Sequence, residues 1–85
     1  MMNNKIGDVV ISTAGRDAGY LMCVVGQRDE FPLVCNGKER PVERPKAKNP
    51  KHIRSTGRVL DRQEYKSNKS LKKALNRLKL KEGGM

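Results

Sequence analysis

The chain has 85 residues, a net charge of +10 and only 4% aromatic residues, which restricts it to one small domain with a core of Val, Ile, Leu and Met. A chain near 60 residues buries only about 60% of the surface it exposes when unfolded, so that core is modest. The start, Met1-Met2-Asn3-Asn4-Lys5, is polar and unlike a secretory signal, and no apolar run approaches the roughly 20 residues of a membrane span. A soluble, cytoplasmic protein with no membrane partner is expected.

Charge is unevenly distributed. Residues 1–35 hold 3 cations against 4 acids, a net −1, whereas residues 36–85 hold 16 against 5, a net +11. A one-sided basic surface attracts a polyanion such as nucleic acid, with a solubilising surface as the plainer reading. Cys23 and Cys35 are separated by eleven residues, form no CxxC, and share the chain with a single His. A zinc site needs about four clustered ligands, so no metal or other cofactor is expected. Both cysteines lie in apolar runs and read as buried, reduced thiols.

Asp8 to Ser12 reads as a first strand, because Val9, Val10 and Ile11 are β-branched in a row. A loop, Thr13–Ala18, follows. Tyr20 to Val25 is an unbroken apolar run of six, the pattern of a strand covered on both faces or bent between two sheets. Gly26 suits a bend or bulge, and Arg28-Asp29-Glu30 a polar turn. Phe31–Cys35 gives a third strand, and Asn36-Gly37 after it is a strong hairpin signal. A fourth strand is expected over Lys38–Glu43, at an edge because Pro41 cannot donate to a ladder. The run 44–51 reads as a loop by composition, and His52–Thr56 as a brief fifth strand ending before Gly57. Five short strands with tight turns favour a small, strongly bent barrel.

The tail changes character. Leu71, Ala74, Leu75 and Leu78 follow the i, i+3, i+4, i+7 spacing of a helix face. Ser67, Asn68 or Ser70 would cap the start and Gly83-Gly84 the end. Lys69, Lys72, Lys73, Arg77, Lys79 and Lys81 occupy other faces, and Leu80 falls opposite the stripe. A helix of about 12 residues is marginal alone in water, so it docks on the barrel or on a partner. Residues 58–66, with Leu60, Asp61 and Tyr65, form a polar connector without an assigned element. The expected division is a barrel over 1–57 and a basic connector and helix over 58–85.

The loop carries a resemblance. Gly7-x-Val9-x-Ile11, then Ala14-Gly15-Arg16-Asp17-Ala18-Gly19, then the apolar run, resembles the KOW motif. With Cys35-Asn36-Gly37-Lys38, the basic stretch 40–44 and Asn49-Pro50-Lys51-His52-Ile53, the chain resembles the KOW-bearing large-subunit ribosomal proteins of archaeal and eukaryotic type, the L-fourteen-e and L-twenty-seven-e group. The likeness covers roughly residues 6–57. Lys38-Glu39 departs from the more uniformly basic strand of that family, and the region after Gly57 has no counterpart in it. The resemblance implies a mostly β fold, a five-stranded SH3-like barrel, and binding to ribosomal RNA.

Gly15 and Gly19 allow close backbone approach, and Arg16 offers a planar fork for phosphate or a base edge, although Gly19 can equally serve only the turn. Asp17 is expected to hold Arg16 or the loop amides. Lys38, Arg40, Arg44, Lys46, Lys48, Lys51 and Arg54 form the main phosphate-binding set, the alternative being a solvated charged edge. His52 stacks on a base or bonds its own loop, and Tyr20 is a base platform or a half-buried barrel residue. With so few rings, recognition by RNA shape and phosphate is expected over stacking along single strands. Lys72, Lys73 and Arg77 would extend the surface along the tail helix.

The rival is a protein-interaction module of the transcription or translation machinery, docking through the barrel and the tail leucines onto ribosomal proteins or a factor. One His, no nucleophile–base motif and no paired carboxylates offer no basis for an enzyme.

Overall fold

The computed structural model describes residues 4–83, and side chains as far as Lys79. The side chains of Leu80 and Lys81, and Gly84, lie outside that description. Five strands, β1 (Asp8–Ser12), β2 (Leu21–Arg28), β3 (Phe31–Cys35), β4 (Lys46–Ala47) and β5 (Ile53–Val59), form one antiparallel sheet in the order β4-β3-β2-β1-β5. Two helices follow, α1 (Arg62–Tyr65) and α2 (Asn68–Gly83). The ladder is open, with β4 and β5 as its edges.

Side chains alternate across a strand, and here both faces are covered. Val9, Cys23 and Cys35 point to one side, where they pack with Leu60 and with Leu71, Ala74 and Leu75 of α2. Val10, Met22, Val24 and Val34 point to the other side and pack with Ile53. That second cluster holds residues of β1, β2, β3 and β5, and residues of the β1–β2 loop and of the loop after β3 stand around Met22 on this side. Such two-sided burial accounts for the uninterrupted apolar run of β2. Cys23 and Cys35 are register partners, both free and buried. Burial raises the thiol of Cys23 to about 12 and that of Cys35 to about 11, so neither is a thiolate at neutral pH.

The register between β2 and β3 shifts between Val24 and Gly26, which places the expected bulge at Gly26. Asp29 and Glu30 form the two-residue β2–β3 turn, with Asp29 at φ 54. The fifth strand outruns its expected end. Its register with β1 slips around Gly57, where Thr56 Oγ1 donates to Val9 O at 2.8 Å and restores a ladder bond through a side chain. The strand therefore continues to Val59, and the connector beyond it contains α1. Asp61 accepts from Glu64 N at 3.1 Å and Glu64 Oε1 from Asp61 N at 3.0 Å, a reciprocal cap.

The fourth strand differs from expectation. Residues 38–43 form no strand, and β4 is the dipeptide Lys46–Ala47, paired with Leu33 and Val34. Asn36 is the cause. Its side-chain Oδ1 accepts from Lys38 N at 3.0 Å and Arg40 N at 2.9 Å, while Asn36 N and Gly37 N both donate to Arg40 O. The Asn-Gly pair thus nucleates a wide loop instead of a two-residue hairpin. Asn68 extends it, accepting from Val42 N at 2.8 Å and donating to Glu43 Oε1 at 3.0 Å. Ser67 caps α2 by accepting from Ser70 N at 3.2 Å. The predicted stripe is the docking face: Leu71, Ala74 and Leu75 are buried and Leu78 partly so.

Gly37 lies at φ +80 against the first turn of α2, and a Cβ there would stand 2.6 Å from Asn68 O. Gly37→Ala is expected to cost about 2–4 kcal/mol in urea unfolding, from backbone strain together with displacement of the helix start. Gly19, at φ +91 with no atom within 4 Å of a built Cβ, should lose only about 1–2 kcal/mol when changed to Ala.

Candidate functional site

The β1–β2 loop is built around Asp17. Its Oδ1 accepts from Lys48 Nζ at 2.7 Å and from Ser12 Oγ at 2.6 Å, and Lys46 Nζ stands 3.7 Å from Oδ2. Lys48 Nζ also donates to Ala14 O at 2.9 Å. Ser12 is buried, and Lys48 is only 5% exposed. Partial burial opposes the charge on Asp17, but hydrogen bonds from Lys48 and Ser12 and the charges of Lys48 and Lys46 outweigh it, lowering the carboxyl to about 2. The expected partners of Asp17, Arg16 or the loop amides, are replaced by two lysines arriving with β4 from the far end of the sheet. Backbone bonds finish the loop: Gly19 N donates to Ser12 O at 2.7 Å and Tyr20 N to Asp17 O at 2.9 Å.

This loop forms one wall of two adjoining grooves. The first, of about 290 Å³, lies between Gly19, Tyr20 and Leu21, the Asn36 loop with Lys38 and Glu39, and the α2 face of Lys72, Leu75, Asn76 and Lys79. The second, of about 400 Å³, is lined by Arg16, Asp17, Tyr20, Met22, Glu39, Arg40 and Lys46. Tyr20, 39% exposed, and Glu39 belong to both. Asn36 Nδ2 donates to Glu39 Oε1 at 2.9 Å and fixes one carboxylate oxygen.

The sequence-predicted residues divide into groups. Arg16, Lys38, Arg40, Lys46 and Lys72 gather around the grooves, with Gly19 on the floor of the first. Lys48 lies behind the surface, neutralised by Asp17, and Gly15 sits beside it, a built Cβ falling 3.6 Å from its Nζ. Arg44, Lys51, His52, Arg54 and Lys73 are exposed but line neither groove. Arg77 pairs with Glu64 at 2.7 Å. His52 is exposed, and its backbone bonds its own loop, N donating to Asn49 O, and the β1–β2 loop, O accepting from Thr13 N, both at 2.8 Å.

The polar groove residues outside the predicted binding set are Asp17, Tyr20, Asn36, Glu39, Asn76 and Lys79, with Tyr20 read from the sequence as a base platform or a half-buried barrel residue. The helical ones were legible, since Lys72, Asn76 and Lys79 follow i, i+4, i+7 on a single helix face. Glu39 carried no signal without the fold. No known protein family matches the chain, and no curated protein does. No helix among the described residues is long and apolar enough to cross a membrane.

Because the Asp17 carboxyl lies below its ordinary 3.8, at about 2, it contributes stability that is fully present above pH 4 and is lost as pH falls toward 2. The contribution is about 2 kcal/mol, read from urea midpoints across that window. Asp17→Asn should remove this acid-side slope and cost about 3 kcal/mol at pH 7 by leaving Lys48 without its counter-charge. Adding Lys48→Met should return most of it.

Proposed function

We propose that the protein is a non-enzymatic RNA-binding protein of the KOW type, an SH3-like barrel working in the cytoplasm on the ribosome and contacting ribosomal RNA through its cationic groove face. The observation that carries this reading is the convergence of Arg16, Lys38, Arg40, Lys46, Lys72 and Lys79 on two adjoining grooves. Cations arrayed along a recess neutralise successive phosphates and release their counterions, which supplies affinity for nucleic acid. The five-stranded antiparallel sheet with both faces buried and the glycine-bearing β1–β2 loop support the barrel assignment.

The leucine stripe of α2 is already occupied by the core. This favours RNA over a partner protein gripped by that stripe, because Leu71, Ala74 and Leu75 are buried against the sheet. Where the helix meets the groove it presents Lys72, Asn76 and Lys79.

Co-sedimentation with ribosomal subunits and filter binding to ribosomal RNA in a salt series test the proposal. With five phosphates contacted, log K should fall with log salt at a slope of roughly −3.5 to −4.5. Arg16→Glu with Arg40→Glu should flatten that slope by at least roughly 1.4, the share of two lost contacts, whereas Lys51→Glu should change it less. Affinity that stays flat with salt overturns the reading.

A further inference from the structure

A phosphate-binding face needs cations, but it does not need a half-exposed ring and a fixed carboxylate at its centre. Tyr20 and Glu39 are the two residues shared by both grooves. Tyr20 is one of only three aromatic residues in the chain, and it is 39% exposed in a protein short of core material. Beside it Gly19 leaves open space above the backbone, since nothing lies within 4 Å of a built Cβ. The grooves, of about 290 and 400 Å³, are each on the scale of a small-molecule site.

We infer that this recess takes a single unpaired nucleotide of the bound RNA, its base against Tyr20 and its Watson–Crick edge on Glu39, with guanine preferred. The inference rests on the RNA-binding reading above and adds the class of ligand at the centre of that face. An aromatic side chain is a platform for an unstacked base. One such ring accommodates one base, consistent with folded RNA that extrudes a nucleotide instead of a long single strand. Cations stand on both sides for the flanking phosphates: Arg16, Arg40 and Lys46 in one groove, Lys72 and Lys79 in the other.

The edge preference follows from donors and acceptors. A carboxylate only accepts hydrogen bonds. Asn36 Nδ2 engages Glu39 Oε1 at 2.9 Å and leaves the carboxylate oriented, with Oε2 3.9 Å from Lys38 Nζ. Guanine presents two adjacent donors on its Watson–Crick edge, N1–H and the N2 amino group. Uracil presents one donor flanked by two carbonyl oxygens, which a carboxylate repels.

The test uses the full chain and three RNA hairpins of equal length and charge: fully paired apart from a tight loop, with one bulged guanine, and with one bulged uridine. Wild-type protein should bind the bulged-guanine hairpin roughly tenfold tighter than the paired one, within the range of a stacked base, and tighter than the bulged-uridine one. Tyr20→Leu should erase the bulge preference while leaving affinity for the paired hairpin and its salt slope intact. Tyr20→Phe should keep the preference, which guards against a folding defect, and Glu39→Gln should remove the discrimination between guanine and uridine. Equal binding of all three hairpins, with a normal salt slope, overturns the nucleotide inference and leaves the RNA-binding reading standing. Absence of salt-dependent binding to any hairpin overturns both.

Discussion

The Asp17–Lys48 pair is the interaction on which the groove face depends. Lys48 lies immediately after β4 and Asp17 in the loop between β1 and β2, so their 2.7 Å contact ties the outer edge of the sheet to its middle. A two-residue strand has little ladder of its own to hold it. The ammonium, accepted by Ala14 O as well as Asp17 Oδ1, supplies a second attachment. The pair is held where Coulomb attraction is weakly screened, and its polar groups are satisfied by Ser12 and the loop carbonyl, the condition under which a buried ion pair is tolerated. With Asp17 fixed, Tyr20 N meets Asp17 O, and the Tyr20 side chain is delivered to the groove wall next to Arg16. An acid in the midst of a basic face is thus a structural requirement of that face.

The parts of the fold that local sequence dictates were legible: β1, β2 and β3 from β-branched and apolar runs, the bulge at Gly26, and the face of α2 from the spacing of Leu71, Ala74, Leu75 and Leu78. Elements whose geometry is set at a distance were not. Lys38–Glu43 has an extended, charged composition, yet Asn36 gathers its amides into a loop and Asn68, from a helix 26 residues beyond Val42, fixes what remains. Gly57 looks like a terminator and proves to be a bulge, because Thr56 can stand in for a backbone partner at Val9. The same division holds in the site. Arg16, Lys38, Arg40, Lys46 and Lys72 could be named from charge alone, but the burial of Lys48 and the centrality of Tyr20 and Glu39 are products of which loops meet.

Helix and sheet are interdependent in a specific way. α2 covers one face of the sheet through Leu71, Ala74 and Leu75, and on the other face Val10, Met22, Val24 and Val34 pack with Ile53. Without the helix, Val9, Cys23 and Cys35 would face water; without the sheet, a single amphipathic helix is marginal. The same docking brings Lys72, Asn76 and Lys79 opposite Tyr20, so the first groove exists only because the helix is seated. Gly37, packed against Asn68 and the backbone of Lys72, sets how closely the loop and helix approach and therefore the width of that recess.

The acids of the chain explain the distribution of its excess positive charge. Asp8 accepts from Lys5 N, Asp61 and Glu64 cap α1, Glu64 also holds Arg77, Glu43 is bonded by Asn68, and Asp17 secures Lys48. Each of these five carboxylates completes a turn, a cap or a tertiary link, so much of the negative charge among the described residues serves the fold. The cations are mostly surplus to it: Arg16, Arg40, Arg44, Lys51, Arg54, Lys72 and Lys73 form no ion pair among the described residues. A net charge of +10 is therefore the excess that remains after several acids are engaged in caps, turns and tertiary links. Glu39 is the informative case, because one of its oxygens is fixed by Asn36 and the carboxylate still fronts both grooves. Under the proposed RNA-binding reading, cations attract any polyanion without regard to sequence, and Glu39 is the group whose position and hydrogen-bonding character would distinguish one nucleotide from another.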